Sequence, residues 1–427
     1  MQKIKVLSVC TSLGGGAGRA AYRIHQGVRN LDVDSRMLIK SGHSNDPNII
    51  TLGDFAPRNP FNKAFDWTRY KVKNKIQHFR WNRYPDREKI FMSDLRGTAL
   101  HGALQKLDYD VLHLHWINNR FVSLEDLPQG KPIVWTLHDS WPFCGICHYF
   151  FECKEYQWQC GCCPFLHSSD AKDLSYVVWK KKAEIYKNLD LHIVSPSHWL
   201  ADCAKQSSLL KRFPVTVIPN CLDVNAFRPL NEKEISHKWR SFQEKRQTKP
   251  LVIYGAMNAA TDKIKGFANL LSALWLLELQ GHGDDFELIV FGATKSELSM
   301  DVNIPIHYVG YVYDTDELVS LYNLASVMVV PSLTENLSCA IMESLSCGTP
   351  VVAFNIGGNG DMIEHQKNGY LAKEKDDYDL AEGILWCLEN NVDNCLGKEG
   401  REKVLRDYNF EVVCQQYKAL YESVKKQ

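Results

Sequence analysis

Ten short apolar runs rich in β-branched residues constrain the fold of this 427-residue chain more than any other feature. Five fall in its first half: "KVLSV" (5–9), "VLHLH" (111–115), "PIVWTLH" (132–138), "LHIVSP" (191–196) and "VTVIP" (215–219). Five more follow: "PLVIYGA" (250–256), "ELIVFGA" (287–293), "IHYVGYV" (306–312), "SVMVVPS" (326–332) and "PVVAF" (350–354). Helical stretches separate most of them, the first starting at about Arg19. Strands that are apolar throughout are covered on both faces, and alternation with helices makes their sheets parallel. Two such series predict an α/β protein of two doubly wound domains. The break is expected in "IPNCLDVNAFRPLNEKE" (218–234), where two prolines precede a charged segment. The expected domains are therefore 1–216 and 217–405. The helical spacing of 406–427 suggests a final helix packing back across the structure.

Lys plus Arg equals Asp plus Glu, 50 each. A formally neutral chain argues against a dedicated nucleic-acid binder. The apolar run Val6 to Cys10 is short and ends in a glycine loop, unlike a secretory leader. No run of 18 apolar residues is present, so no membrane-spanning helix is expected. Fourteen cysteines without a leader point to a reducing, cytoplasmic setting, in which metal ligation or buried thiols outrank disulfides.

Segment 58–89 carries ten Lys or Arg against three acids, interleaved with Phe61, Phe65, Trp67, Tyr70, Phe79, Trp81 and Tyr84. A basic, aromatic insertion suits peripheral contact with an anionic membrane face. A solvated helical excursion with its aromatics in the core fits equally well.

The stretch "PSLTENLSCAIMESLSCGTPVVAFNIGG" (331–358) places Glu335 and Glu343 eight positions apart. Asn336 or Ser338 is suited to cap a helix running to about Ser346, with Gly348 ending it. Glu335 then lies in the loop before the helix, and Glu343 about 10 Å along its axis. That is wider than the roughly 5 Å of a retaining glycosidase pair. The carboxylates suit the two ends of one extended ligand, and the helix N-terminus between them suits a phosphate. A nucleotide sugar has hydroxyls at both ends and phosphates in the middle. The plain alternative is a loop glutamate and a solvated helical glutamate.

This stretch, followed by "IEHQKNGYLA", resembles the E-x7-E signature of retaining glycosyltransferase family 4. "IPNCLDVNAFRP" resembles that family's interdomain region. "TLHDSWPFCGICHY" resembles the subgroup of bacterial polysaccharide glycosyltransferases of the colanic-acid type. The resemblance implies a GT-B fold of two facing Rossmann-like domains. It also implies metal-independent, retaining transfer of a hexose-type sugar from a nucleotide-diphosphate sugar to a saccharide or lipid-linked saccharide acceptor in surface polysaccharide synthesis.

It further implies roles for individual residues. Glu335 would contact donor-sugar hydroxyls near the reacting carbon, and Glu343 would hold the ribose. Backbone N–H groups of Leu337, Ser338 and Cys339 would meet sugar hydroxyls and diphosphate. Lys265, in "DKIKGF", matches the lysine that neutralises the leaving diphosphate. The family's upstream Arg is missing; Ala256 stands in its place and Lys263 is the substitute, without the guanidinium fork. Gly15 and Gly16, in "SLGGGAGRAA", would lie against the diphosphate. His138 would lie beside the donor sugar, next to Asp139. Base contacts are expected from the backbone around Gly310 and Tyr311. The missing Arg also leaves room for a non-catalytic subunit of the same fold, binding a partner transferase or a nucleotide sugar.

Six cysteines crowd into 144–163. Cys147, Cys153, Cys160 and Cys163 could supply the four thiolates of a closed, structural zinc site, and this is the set that similar sequences carry. The pairs 144/147 and 160/163 are a second choice of ligands. An iron–sulfur cluster, disulfides or buried thiols remain open on spacing alone. No cofactor is expected for the catalysis itself.

Overall fold

The computed structural model describes residues 3–42, 44–55, 79–95, 102–255, 262–298 and 301–426, together with 68, 71, 72, 75, 97 and 100. The chain forms two compact units, residues 1–218 with 414–427, and residues 219–413.

The first unit is built on a parallel sheet of seven strands: β1 (Lys5–Cys10), β2 (Asp34–Ile39), β3 (Ile49–Thr51), β4 (Val111–Leu114), β5 (Pro132–Thr136), β6 (Asp190–Ser195) and β7 (Val215–Val217), in the order β3-β2-β1-β4-β5-β6-β7. The second has six parallel strands: β8 (Leu251–Gly255), β9 (Glu287–Phe291), β10 (Ile306–Gly310), β11 (Val327–Val330), β12 (Val351–Phe354) and β13 (Gly369–Ala372), in the order β10-β9-β8-β11-β12-β13. Both orders reverse once, at β1/β4 and at β8/β11. Such a switch point opens a crevice at the carboxyl ends of two neighbouring strands, where this architecture binds ligands.

The all-apolar strands fill these sheets because both faces are covered. Leu251, Ile253, Met328 and Val351 pack into one core of the second unit. Val252, Tyr254, Val329 and Val352 pack into the other. Three strands went unread in the sequence. β2 begins Asp-Ser-Arg, β3 has only three residues and β13 begins with Gly369. One expected strand ends early, β5 stopping at Thr136 before His138, and β11 ends at Val330, where Pro331 stops it. Those carboxyl ends peel away into the loops that carry the polar residues. The first helix starts at Gly15, four residues before Arg19.

The last helix, Phe410–Lys425, returns the chain to the first unit. Tyr417 shares a hydrogen bond with Thr136 Oγ1 at 3.1 Å, and Tyr421 with His113 Nδ1 at 2.7 Å, all within the buried core. Most of the basic insertion 58–89 lies outside the described residues. Of its described aromatics, Trp81 and Tyr84 pack against the core of the first unit, and the Tyr84 hydroxyl accepts the Leu174 N–H at 3.1 Å. Phe79 is exposed. Among the described residues no helix is long and apolar enough to cross a membrane.

Candidate active site

In the second unit, three loops leave the carboxyl ends of β8, β11 and β12 and lock together. After β8, residues 256–261 lie outside the described set, Ala256 among them. The chain then makes a tight turn at Lys263–Lys265, where Asp262 accepts the Ile264 N–H at 3.1 Å, and Gly266 follows at φ +68°. A methyl group on Gly266 would lie 1.7 Å from the Pro331 carbonyl oxygen. Only glycine permits both that conformation and that approach. The Leu333 N–H donates to the Ile264 carbonyl at 2.8 Å, tying the β8 loop to the β11 loop. On the other side, Gly357 at φ +51° would place a methyl 1.7 Å from the Glu335 carbonyl oxygen.

This packing brings Lys265 Nζ to 3.2 Å from Glu335 Oε2. The side chains are 27% and 18% exposed, so the pair is reachable from solvent without being screened by it. Lys263, on the same turn, is exposed.

Immediately beyond is the helix Cys339–Ser346, with Ser338 as its N-cap. The Ser338 side chain makes no capping bond, leaving the N-terminal amides to other partners. Leu337 is buried in the core and Ser338 nearly so. Gly348 follows at φ +78° and ends the helix. Because the cap is Ser338, Glu343 stands five residues along, about 7.5 Å of rise rather than 10 Å. Nor is Glu343 a solvated helix residue. It is 2% exposed and accepts a hydrogen bond from the Tyr322 hydroxyl at 3.3 Å. Nothing in the local sequence singles out Tyr322, which comes from a different helix, Thr315–Leu324. Gly310 ends β10 at φ +72°, and the Tyr311 hydroxyl donates to Glu297 at 3.0 Å.

In the first unit, Gly15 and Gly16 open the helix Gly15–Arg29, and a methyl on either would meet no atom within 4 Å. The space beside these amides is open. Gly18 is different, since a methyl there would strike the Ser12 carbonyl at 2.5 Å.

His138, past the end of β5, shares a hydrogen bond with His115 Nδ1 at 3.0 Å. Burial lowers the His138 pKa to about 4 and holds His115 well below the usual imidazole value. Both rings are therefore neutral near pH 7, one donating and one accepting. His115, next to β4, was not read as a site residue.

Asp139 beside them is hydrogen-bonded to His148 Nδ1 at 2.6 Å and accepts N–H groups from Trp116 Nε1 and the Trp141 backbone, both at 2.9 Å. Burial works against its charge, yet His148 and these donors hold its carboxyl below the usual value.

The cysteine-rich loop wraps a buried lysine that no sequence motif marks. Lys182, on the helix Leu174–Tyr186, is fully buried. Its ammonium donates to the carbonyls of Cys144 and Gly145, each at 2.9 Å, and to that of Trp141, and lies 3.6 Å from the Trp141 ring centroid. All six cysteines of the loop are free. A hydrogen bond joins Cys147 to Cys163, pushing the Cys147 thiol up and the Cys163 thiol down. Cys160 Sγ accepts the Gly145 N–H at 3.2 Å. Among the described residues no three His, Cys, Asp or Glu side chains stand together as a set able to hold a metal ion.

Two Rossmann-like units of this topology, with polar loops at both switch points, define the GT-B class of proteins. The chain belongs to the family 4 glycosyltransferases: residues 14–226 match "Glycosyltransferase Family 4" and residues 248–390 match "Glycosyl transferases group 1". It is similar to the putative colanic acid biosynthesis glycosyl transferase WcaC of Escherichia coli, 27% identical over 279 residues, covering 63% of this chain and 64% of that protein. Matched stretches span 40% and 25% of two further curated relatives. A Rickettsia africae glycosyltransferase structure aligns over all of both chains with a TM-score of 0.65 at 15% identity. Anabaena HepE, solved with UDP and glucose, aligns over 98% of this chain and 100% of its own with a TM-score of 0.63 at 15% identity. These two likenesses are of fold.

Proposed function

We propose that this chain is a retaining glycosyltransferase that moves a sugar from a nucleotide-diphosphate sugar to a saccharide or lipid-linked saccharide in surface polysaccharide synthesis. The observation that carries the reading is the Lys265–Glu335 pair at the β8/β11 switch point, next to the start of a helix whose cap residue makes no side-chain capping bond.

In this reading the donor lies across that helix start. Its diphosphate takes the amides of Leu337, Ser338 and Cys339 and draws Lys265 away from Glu335, with Lys263 second. Lys265 stabilises the negative charge that grows on the diphosphate as the glycosidic bond breaks. Glu335, released from the lysine, accepts hydroxyls of the donor sugar near its reacting carbon. Glu343 takes the ribose hydroxyls. It is almost wholly covered, so this contact requires local opening. Gly310 and Tyr311 line the base. The acceptor oxygen attacks the anomeric carbon from the side the diphosphate leaves, and its proton passes to the departing phosphate oxygen. His138 is neutral and can give or take one hydrogen bond to a hydroxyl without carrying charge. HepE, of the same fold, was solved with UDP and glucose, which favours a UDP-sugar as the first donor to test.

The test is incubation with UDP-sugars and lipid-linked saccharides, with the product's anomeric configuration read by NMR. Release of UDP with a product of unchanged anomeric configuration supports the reading. An inverted product, or no turnover of any nucleotide sugar, overturns it.

We also propose Cys147, Cys153, Cys160 and Cys163 as a structural zinc set, in which the hydrogen-bonded Cys147–Cys163 pair would be closed upon by the other two thiols. Their soft sulfur donors suit zinc, although the thiols are not gathered as one set. Elemental analysis of protein purified without chelators should find about one zinc per chain. Its absence removes this part of the proposal.

A further inference from the structure

A second cluster lies at the carboxyl ends of β4 and β5, built on a hydrogen-bond chain that the donor reading does not use. His148 Nδ1 lies 2.6 Å from Asp139 Oδ2, and His148 Nε2 lies 2.8 Å from Ser93 Oγ. The chain runs serine, histidine, aspartate. His148 is 2% exposed, and Ser93 is partly exposed. The Ser93 segment is fixed at both ends of its own peptide unit. Its N–H donates to the Ile146 carbonyl at 2.8 Å, and its carbonyl accepts Trp141 Nε1–H at 2.9 Å.

Ser93 borders a cavity also lined by Phe91, Asn118, Arg120 and Trp141. Asn118 is 7% exposed, and its Nδ2 finds no hydrogen-bond partner among the described residues. A buried amide donor left unpaired in a native fold calls for an explanation. The next two residues, Asn119 and Arg120, hold φ of +55° and +60°, a strain that tends to be kept where a site needs it.

Two chemistries fit a serine–histidine–aspartate chain. Acyl transfer needs oxyanion donors beside the serine, and the Ser93 N–H is already given to Ile146. Recognition of a hydroxyl needs less. His148 spans from the Asp139 carboxylate to Ser93 Oγ and so holds the Ser93 hydroxyl at the edge of the cavity. Asn118 supplies a donor. An indole and a phenyl ring supply apolar walls.

We propose that this cavity is a saccharide subsite, in which Ser93 Oγ and the Asn118 Nδ2 donor hydrogen-bond to ring hydroxyls. His148 and Asp139 are positioning residues that fix the direction of the Ser93 hydroxyl. The subsite deepens the glycosyl-transfer reading, on which its assignment to the acceptor rests; the binding itself does not depend on donor chemistry.

The experiment is saturation-transfer NMR on the full chain, with methyl glycosides of glucose, galactose and mannose and with lactose, in the presence and absence of UDP. At least one probe should bind. Ser93→Ala and Asn118→Leu should each weaken it about tenfold, a hydrogen bond's worth in affinity. His148→Ala should weaken it as much as Ser93→Ala, and the double variant no further, because the two act as one unit. A general loss of packing would instead add, and unfolding midpoints of all variants identify it. Probe binding is read with and without UDP, so failure of the donor reading shows up separately as loss of UDP binding alone. Binding of no probe, full binding by Ser93→Ala, or covalent labelling of Ser93 by a fluorophosphonate overturns the proposal.

Discussion

Lys265 and Glu335, seventy residues apart in sequence, meet at 3.2 Å across the switch point of the second sheet. Each follows one of the two strands where the order reverses, β8 and β11. The ion pair is a product of topology, and a diphosphate would compete for the lysine.

If that competition is the chemistry, removing the lysine costs rate more than stability. Lys265→Ala should lower transfer by about 10²–10³-fold. A partly exposed pair contributes about 1 kcal/mol or less to folding, so the unfolding midpoint should barely move. UDP release under saturating acceptor, alongside thermal melts, makes the comparison. Parental turnover in Lys265→Ala would remove the assigned role.

Glu343 and Tyr322 are coupled within the core. Glu343→Ala leaves a buried tyrosine hydroxyl without this acceptor and should cost about 1–3 kcal/mol. Tyr322→Phe alone should cost less, and the double variant should fall short of additivity. Urea unfolding of the four proteins measures it. Strict additivity would show that the 3.3 Å contact carries no energy.

Gly357 sits against the backbone of Glu335. Gly357→Ala combines a left-handed conformation with a 1.7 Å overlap, so the β11 loop must shift. Turnover should fall at least about tenfold, as displacements near 1 Å do in catalytic sites. Gly360→Ala is the control, since the nearest atom to its new methyl lies at 3.7 Å. Equal activity in the two variants would disconnect this loop from function.

Acid should unfold the first unit through its imidazoles. Burial lowers His25 and His138 to about 4 and His113 to about 3, from 6.5. The unfolded chain binds the extra protons first. Stability is therefore complete above about pH 6.5 and falls as pH drops toward 4 and then 3. Each unit of depression is worth about 1.4 kcal/mol per group. Urea midpoints measured from pH 7.5 to 4 should fall steadily, and His113→Phe should flatten the slope. A midpoint independent of pH would show these rings to be solvated.

Local sequence determined the two series of buried strands, because a strand covered on both faces must be apolar throughout and such runs stand out in one dimension. It also placed Glu335 in the loop before a helix and Glu343 within that helix, while Lys265 stood out only through the family resemblance. Short or polar-edged strands such as β2, β3 and β13 carry no such mark. Tertiary structure alone decided that Lys265 pairs with Glu335, that Glu343 is buried on Tyr322, and that Ser93, His148 and Asp139 form one chain. Those relations join residues from 9 to 70 positions apart. They exist because separate strand exits of one sheet converge, and a distance set by sheet order leaves no periodic trace in the sequence.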